Sequence, residues 1–584
     1  MTEPSAAATH SAASEPGLRA SLPELGFIAL ALSALVLGLN NDLQEFDPTQ
    51  YAEIARRISE SGDWAHFQDV FGPYLDKPPV TLWLIALCIR LLGPTSIAVR
   101  LPSLFAGIAL VGTTFLIGRR LWDRRTGAVA AALLASSAAF QLMVADPKID
   151  MVVTALMTFS VYCLLAARDR PWMMVPAWLG MGLGVLTKGP IGLVAPLAAV
   201  FPEAIRQRWG ARPGAPAASL WEKLRPFQPW FGLPIVAACL LPWYSAVVDD
   251  FGLKGVRFLL WDQSFGRLFE RSYRNQTSPL FFTHTLLWAF LPFTPILLFS
   301  LGRAALAQWR SPGFAPRESR VVLWWLLIPF VAISASSYKL PQYLYWLAPP
   351  AALLAADALR GLGHATKAME RLYTALSAGW VLFAALLGWV CFPSARWQVT
   401  AAWTLGTALA TLAATGWALR LPGSRRLVAL AVLPICMFHL FYEGWVHPAV
   451  TRYQPDREWG ALARQEDPSG TLLPFIGTQQ TNGAAFYANR LARPADVPAL
   501  LGWVKEGKTR LAVIEPGAEA QVLAAGLRIE GRWERPSFWT SRPTAAFLLA
   551  RTRDAAVHKL WMLKLSLPAQ AGDASSPMTS RSTP

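Results

Sequence analysis

Phe46-Asp47-Pro48-Thr49-Gln50-Tyr51 and Tyr74-Leu75-Asp76-Lys77-Pro78-Pro79 place charged groups between the first long apolar segment and the next. Of the 584 residues, 54% are hydrophobic and only 15% are charged, and the mean hydropathy is +0.34. Soluble domains have about 25% charged residues, so this composition predicts an integral membrane protein. Charge beside a bilayer costs free energy to desolvate. The loop that contains both stretches is therefore the first candidate for a functional site.

Membrane spans need about 17–25 apolar residues, and the sequence predicts about thirteen of them. They lie near 24–41, 97–117, 127–145, 149–167, 172–187, 190–205, 229–248, 280–301, 321–337, 341–359, 372–392, 398–419 and 427–446. Pro78–Gly93 is apolar but short, and Arg90 interrupts it. If this segment does not cross, the arginine-rich loops all fall on one side, which the positive-inside rule makes cytoplasmic. The net charge of +16 then reflects topology, and no nucleic-acid partner is predicted.

This topology divides the chain into four predicted parts. They are a disordered cytoplasmic N-terminus (1–23), a membrane domain (24–446) whose first outer loop is 42–96, a small outer α/β domain (447–565) and a disordered tail (566–584). Within the outer domain, Thr471–Ile476 and Arg510–Ile514 have the pattern of strands, and Ala518–Ala525 that of a helix.

The first outer loop is predicted to begin with a helix. Asp47 precedes a proline, which is typical of a residue that caps a helix N-terminus. Tyr51, Ile54, Ala55 and Ile58 share one face of that helix. Because this face is apolar, the helix is expected to lie on the outer membrane surface.

Cationic residues recur at the outer turns, although the outer side usually disfavours them. Lys148 lies between Asp146 and Asp150, and Thr187-Lys188-Gly189-Pro190 and Tyr338-Lys339-Leu340-Pro341-Gln342-Tyr343 each contain a lysine. Lone lysines at span ends usually reach towards the interface. The alternative is that Lys77, Lys188, Lys339 and Arg267 together neutralise a phosphate or diphosphate. With a carboxylate nearby, this arrangement indicates an anionic lipid substrate.

Seven motifs, in order over about residues 25–360, resemble the GT-C membrane glycosyltransferases, and in particular the ArnT-like, protein-mannosyltransferase-related family. They are Asp47-Pro-Thr-Gln-Tyr-Ala-Glu-Ile-Ala55, Gly62-Asp-Trp64, Tyr74-Leu-Asp-Lys-Pro-Pro79, Ala98-Val-Arg-Leu-Pro-Ser103, Asp146-Pro147, Leu186-Thr-Lys-Gly-Pro-Ile-Gly192 and Lys339-Leu-Pro-Gln-Tyr343. The resemblance implies a polytopic α-helical protein of the GT-C type, with about 13 transmembrane helices and a small α/β C-terminal domain on the periplasmic side.

The resemblance also implies an activity and a location. The expected reaction is inverting transfer of a hexose or pentose from a polyprenyl-phosphate donor to a lipid A, glycan or protein acceptor. It would take place at the periplasmic face of the bacterial inner membrane, with the N-terminus of the protein in the cytoplasm. A multi-span transporter or flippase of lipid-linked sugars is the main alternative, and an inactive lipid-binding scaffold is a second one.

The resemblance assigns roles to individual residues. Asp47 matches the catalytic carboxylate, and Asp146 matches a second outer acidic position. The predicted substrate-binding residues are Tyr51, Tyr74, Asp76, Lys77, Lys188, Arg267, Lys339 and Tyr343. Among these, Lys77 and Lys188 match lysines that contact the carrier phosphate.

The sequence departs from the aminoarabinose enzymes at three positions. Gln50 stands in place of an arginine, Asp76 in place of a glutamate and Ser264 in place of a histidine. In that group the glutamate and histidine bind zinc, whereas a single carboxylate is a poor zinc site. Asp76 is therefore only a weak candidate metal ligand, with His66 and His284 as substitutes, and no cofactor is predicted with certainty. The same departures argue against aminoarabinose as the sugar.

Overall fold

The computed structural model describes residues 22–209, 224–266, 275, 278–310, 316–360, 366–478, 482–540 and 543–568. Arg267 lies outside these ranges, as do residues 1–21 of the predicted disordered N-terminus (1–23) and residues 569–584 of the predicted disordered tail (566–584). At the inner edges of those two predictions, Leu22 begins a helix and Ser566 ends a strand. The α-helices are Leu22–Gly38, Asp47–Ser61, Val80–Leu92, Ser96–Leu121, Arg124–Ser136, Ala138–Ala145, Ile149–Ala166, Met174–Lys188, Ile191–Trp209, Pro229–Arg257, Phe281–Ala289, Thr294–Arg310, Arg317–Ala335, Ala348–Arg360, Thr366–Ala385, Trp397–Leu419, Gly423–Phe441, His447–Thr451, Asp456–Glu466, Asn482–Ala488, Val497–Lys505, Glu519–Ala524, Ala545–Leu548 and Arg553–Ala556. Pro171–Met173, Arg225–Phe227, Pro341–Leu347 and Pro516–Ala518 form 3-10 turns, and Phe258–Gly266, Leu386–Cys391 and Tyr442–Val446 form π-helical segments.

Within the described ranges, six helices are long and apolar enough to cross a membrane. They are Ser96–Leu121, Ile149–Ala166, Pro229–Gln263, Arg317–Ala335, Thr366–Cys391 and Gly423–Thr451. A seventh span results if the bent pair Arg124–Ser136 and Ala138–Ala145 crosses as one. The chain is thus a multi-pass membrane protein, and the larger number of thirteen spans stays a prediction.

Val80–Leu92 is the helix formed by the short apolar segment at the end of the first loop. It has 13 residues, which at 1.5 Å per residue span about 20 Å. The hydrocarbon core of a bilayer is about 30 Å thick. The helix is therefore too short to cross the core as a straight span, which accords with the predicted topology.

The Asp47–Ser61 helix differs from its prediction in two respects. Asp47 is not the N-cap but the first helical residue, and the residue at the cap position, Phe46, makes no side-chain cap hydrogen bond. The predicted position on the membrane surface is also wrong for the apolar face, because Tyr51 and Ile54 are buried inside the protein. Val80–Leu92 and the Asn482–Ala488 helix of the C-terminal region cover that face. Periodicity shows that a face is apolar but does not show what covers it.

The C-terminal region contains a five-stranded sheet in the order Leu491–Pro494, Leu472–Ile476, Leu511–Ile514, His558–Ser566 and Arg528–Ser537. The first three strands are parallel, and the last two pair antiparallel. Both predicted strands and the predicted helix, found at Glu519–Ala524, are confirmed. All residues of Leu472–Ile476 and Leu511–Ile514 are buried, as expected for strands that are covered on both faces. The boundaries of the outer domain stay a prediction.

Side chains of the C-terminal region hold the first loop from one side. Arg457 forms an ion pair with Asp42 at 2.9 Å and donates to Ser96 Oγ at 2.9 Å. The Tyr487 hydroxyl accepts a hydrogen bond from Leu43 N at 3.1 Å and lies 2.8 Å from Ser96 Oγ. A second, two-stranded sheet, Gln68–Asp69 with Gly72–Pro73, lies within the loop itself. These contacts fix the backbone that leads into Asp47.

Candidate active site

A cavity of about 340 Å³ lies where the first loop meets the membrane helices. Its polar lining is Asp47, Asp76, Lys77, Asp150, Lys188, Gln263, Ser336 and Gln342, and its aromatic lining is Tyr51, Tyr338, Tyr343 and Trp346. Its apolar lining includes Ile191, Val194, Leu259, Ala332 and Ile333. Val194 is also exposed. The cavity thus joins a charged surface to an apolar one that reaches the protein exterior.

The structure brings most of the predicted site residues together. Asp47, Tyr51, Asp76, Lys77, Lys188 and Tyr343 all line the cavity. Tyr74 is buried in the same apolar cluster as Tyr51, but it does not reach the lining. Lys339 is buried and holds Asn275 through its main chain, donating to Asn275 Oδ1 at 2.7 Å and accepting from Nδ2 at 2.9 Å. Arg267 falls outside the described residues.

Each lysine around Asp47 already has a carboxylate partner. Lys77 pairs with Asp76, Lys188 pairs with Asp150, and Lys148 pairs with Asp146 at 2.7 Å. In the described part of the chain, Asp47 has neither an ion pair nor a hydrogen bond through its carboxylate. Among the carboxylates Asp47, Asp76, Asp146 and Asp150, Asp47 is therefore the one that remains available to a substrate.

The electrostatic surroundings of Asp47 suit a proton acceptor. Burial raises the pKa of the Asp47 carboxyl from its ordinary value of 3.8. The positive charges of Lys148 and Lys77 oppose this rise, and Asp146 and Asp150 add to it. A carboxylate whose pKa is raised takes up a proton more readily than an exposed one.

Asp150 and two aromatic rings hold Lys188, the last residue of the Met174–Lys188 helix. Asp150 Oδ1 accepts from the Lys188 ammonium and from Trp346 Nε1 at 3.0 Å. Lys188 Nζ also lies 4.9 Å from the centre of the Trp346 ring and 5.0 Å from that of Tyr343, within the range of cation–π attraction. Asp150 and Trp346 are not among the site residues predicted from the sequence. Asp150 follows Asp146 by four residues and Trp346 follows Tyr343 by three. These spacings are the sequence features that could have pointed to the two residues.

Asp76 is engaged by protein groups on both of its oxygens. One oxygen pairs with Lys77, and the other accepts from Gln263 Nε2 at 2.6 Å. The candidate substitutes lie elsewhere: His66 Nδ1 meets Asp63 at 3.1 Å, and His284 Nδ1 meets the Phe281 carbonyl at 2.9 Å. Across the described ranges, no group of three or more His, Cys, Asp or Glu side chains could hold a metal ion. These residues therefore do not fit a zinc site.

A second, smaller chamber of about 100 Å³ adjoins the cavity. It is lined by Gln44, Leu142, Met143, Asp146, Lys148, Asp150, Gln342 and Tyr345. Asp150 and Gln342 line both spaces. Asp146, the second predicted catalytic residue, therefore lies beside the space that contains Asp47 and not within it.

Comparison with known proteins shows which families and structures this chain is similar to. The family model described as dolichyl-phosphate-mannose-protein mannosyltransferase matches residues 76–221. The undecaprenyl phosphate-alpha-4-amino-4-deoxy-L-arabinose arabinosyl transferase of Pseudomonas aeruginosa is 30% identical over 347 residues, which cover 57% of this chain and 58% of the relative. The protein of the same name from Yersinia pestis is 28% identical over 326 residues, covering 53% of this chain and 54% of the relative.

Among solved structures, ArnT from Cupriavidus metallidurans bound to undecaprenyl phosphate matches 96% of this chain and 100% of its own, with a TM-score of 0.72 and 20% identity. The chain therefore shares the fold of that protein. It spans just over half the length of the curated relatives it matches. Gln50, which stands in place of an arginine, does not line the cavity and donates to Asp69 Oδ2 at 3.0 Å. Gln50 thus supports the short sheet of the first loop, which is formed by Gln68–Asp69 and Gly72–Pro73.

Proposed function

We propose that this protein is an inverting glycosyltransferase that moves a sugar from a polyprenyl-phosphate donor to a lipid A, glycan or protein acceptor. The observation that carries the proposal is the single cavity in which lysines, an unpaired carboxylate and an apolar lining meet. A polyprenyl-phosphate sugar has three parts that need such surroundings: the phosphate needs the lysines, the reacting sugar needs the carboxylate, and the polyprenyl chain needs the apolar lining. The relatives named above, which act on an undecaprenyl-phosphate-linked sugar, support this reading.

The proposed reaction is one direct displacement at the anomeric carbon of the sugar. An oxygen of the acceptor attacks this carbon while the bond from the carbon to the phosphate oxygen breaks, so the configuration inverts. The polyprenyl phosphate leaves with the electron pair of that bond. Lys77 and Lys188 stabilise the negative charge that develops on the leaving phosphate, in a site where protein excludes much of the water. Arg267 is proposed for the same role.

Asp47 is proposed to act on the acceptor. When the acceptor is a hydroxyl, Asp47 accepts its proton as the new bond forms, and the raised pKa suits this step. When the acceptor is a phosphate, as on lipid A, the attacking oxygen is already ionised near neutral pH. Asp47 then orients the attack or stabilises positive charge on the sugar.

The remaining assignments complete the proposed site. Tyr51, Asp76 and Tyr343 contact the substrate from the cavity lining, Tyr74 supports Tyr51 from behind, and Lys339 positions the loop that carries Tyr343. The proposed location is the bacterial inner membrane, with a cytoplasmic N-terminus and with the first loop and the C-terminal domain in the periplasm. No metal takes part in the proposed mechanism.

The test is the Asp47→Asn variant, assayed with purified lipid-linked donor and acceptor. General-base catalysis contributes about 10²–10⁴-fold to a rate, so turnover should fall by about that factor. Glu60→Gln is the matched control, because Glu60 is an exposed carboxylate on the same helix and should keep wild-type turnover. Near wild-type turnover in Asp47→Asn would overturn the assignment. Accumulation of labelled donor in sealed vesicles without bond cleavage would instead support the transporter alternative.

A further inference from the structure

Arg100 is a buried cation that lies outside the candidate active site. It belongs to the motif Ala98-Val-Arg-Leu-Pro-Ser103, to which the proposed mechanism assigns no role. Its side chain extends from the Ser96–Leu121 helix, is only 2% exposed and does not line the cavity. Because removing a cation from water costs free energy unless it is well hydrogen-bonded, the partners of Arg100 should account for its position.

The nitrogens of the Arg100 guanidinium donate to main-chain carbonyls of two separate segments. Nη2 donates to Asp42 O at 2.9 Å, and Nη1 donates to the Asn41 carbonyl. Nε donates to Ala145 O at 3.0 Å. The first two carbonyls lie at the start of the first loop, and the third ends the Ala138–Ala145 helix. One rigid, planar group therefore joins the loop to that helix.

The two segments that Arg100 joins lead to Asp47 and to Lys148. Asp47 follows Asp42 by five residues, and Lys148 follows Ala145 by three. A chain advances at most about 3.6 Å per residue, so neither charge can lie far from its anchored carbonyl. Burial raises the pKa of the Asp47 carboxyl, and among the charges around it Lys148 does most to oppose this rise. The link through Arg100 thus joins the backbone of the proposed base to that of its most influential cation.

The C-terminal region holds the first loop by different contacts. Arg457 forms an ion pair with Asp42 at 2.9 Å and donates to Ser96 Oγ at 2.9 Å. These bonds fix the loop against the C-terminal region and the Ser96–Leu121 helix, and they do not involve the Ala138–Ala145 helix. Arg100 therefore adds a link between the first loop and that helix which the ion pair does not supply.

We propose that Arg100 is a positioning residue for the transfer reaction, which by bonding both segments holds Asp47 in a fixed place relative to Lys148. This inference rests on the proposed function and gives a role in it to a residue that does not line the cavity. Catalysis depends on closely aligned groups, and a misplacement of 1 Å can slow a reaction about 10²-fold. Loss of the Arg100 hydrogen bonds should therefore slow transfer without removing the lysines that bind the donor phosphate.

The test compares Arg100→Lys and Arg100→Gln with the wild type in steady-state transfer and in binding of undecaprenyl phosphate. Lysine presents one small ammonium instead of a planar fork, and glutamine presents one uncharged amide, so neither reproduces the bonds to both segments. We expect kcat to fall by about 10²-fold. The Kd for undecaprenyl phosphate should stay unchanged, because Lys77 and Lys188 belong to neither segment. A loss of affinity as large as the loss of kcat would overturn the inference.

Arg553→Lys is the matched control. Arg553 is also buried and also joins separate segments through main-chain carbonyls, because it donates to Phe547 O at 2.8 Å, to Leu548 O at 2.9 Å and to the Cys391 carbonyl. None of these residues lines the cavity. Arg553→Lys should therefore lose stability but keep kcat. An equal fall of kcat in this control and in Arg100→Lys, or an unchanged kcat in the Arg100 variants, would overturn the inference.

Hydrogen–deuterium exchange separates this inference from the proposed function. In Arg100→Lys the amides of residues 43–50 and 138–148 should exchange faster than in the wild type, because local opening becomes easier there, whereas those of residues 545–557 should not. If the wild type transfers no sugar, the proposed function fails, and the exchange pattern still decides whether Arg100 positions the two segments. Unchanged exchange in both segments would overturn the inference. It would also be overturned if both Arg100 variants were recovered only unfolded while Arg553→Lys folded, because Arg100 would then be a general stabilising residue.

Discussion

Replacing Asp150 by asparagine should both destabilise the protein and change its response to the lipid carrier. Asp150 and Lys188 are exposed by only 4% and 14% of their side chains. The amide of asparagine can still accept from Trp346 Nε1, so that hydrogen bond, 3.0 Å in the native protein, is kept. The change therefore isolates the loss of one negative charge next to a buried lysine.

The expected size of the effect follows from burial. Removing one partner of a buried ion pair costs about 3–5 kcal/mol, because the other charge is left uncompensated. Since the tryptophan hydrogen bond survives, we expect the lower end of this range, about 3 kcal/mol. Asp169→Asn is the matched control, because the partner of Asp169, Arg120, lies with it at the surface. An exposed pair contributes about 0–1 kcal/mol.

The assay is thermal unfolding in detergent, with and without undecaprenyl phosphate. In Asp150→Asn, Lys188 lacks its carboxylate, so a bound phosphate replaces the missing charge. Each tenfold gain in affinity adds about 1.4 kcal/mol of binding free energy, and this appears as extra stabilisation when the ligand is in excess. The ligand should thus raise the unfolding midpoint more in Asp150→Asn than in the wild type. If the ligand raised the unfolding midpoint equally in both proteins, the placement of Lys188 beside the phosphate would be refuted. A loss of stability no larger than in Asp169→Asn would refute the contribution of the buried Asp150–Lys188 ion pair.

Three further predictions concern the Asp47 carboxyl, the C-terminal region and one close approach of helices. Because burial raises the pKa of the Asp47 carboxyl, the folded state favours the protonated form and loses stability as the pH rises and this carboxyl ionises. Asp47→Asn, which cannot ionise, should therefore raise the unfolding midpoint at pH 7. An unchanged midpoint would contradict this prediction. Burial also raises the pKa of Asp456 to about 7, so stability should decline from pH 4 to pH 7, and Asp456→Asn should flatten that part of a midpoint-versus-pH curve. A methyl group on Gly192 would lie 2.2 Å from the main chain of Gly184, so Gly192→Ala should abolish folded protein in size-exclusion chromatography, whereas Gly112→Ala, in open space, should not.

The sequence alone predicted the membrane class and six of the residues that line the cavity, because charged groups between apolar segments are few and each requires an explanation. It failed where the outcome depended on tertiary contacts. Tyr51 and Ile54 formed an apolar face of the right period, but only the folded chain shows that protein covers it. Asp150 was recognised as a charge at a span end, yet its pairing joins residues 38 positions apart. A local sequence pattern cannot predict a contact between residues so far apart along the chain.

The two lysines that line the main cavity differ in how firmly they are held, and this difference separates their roles. The partner of Lys77 is its neighbour Asp76, whose side chain is 45% exposed. Water can replace Lys77 at such a carboxylate, so Lys77 can turn towards an arriving phosphate at little cost. Lys188 cannot leave Asp150 in the same way, because both side chains are largely buried and separation would leave two uncompensated charges. In the proposed mechanism, Lys77 is thus suited to capture the donor phosphate, and Lys188 to present a fixed positive charge as that phosphate leaves.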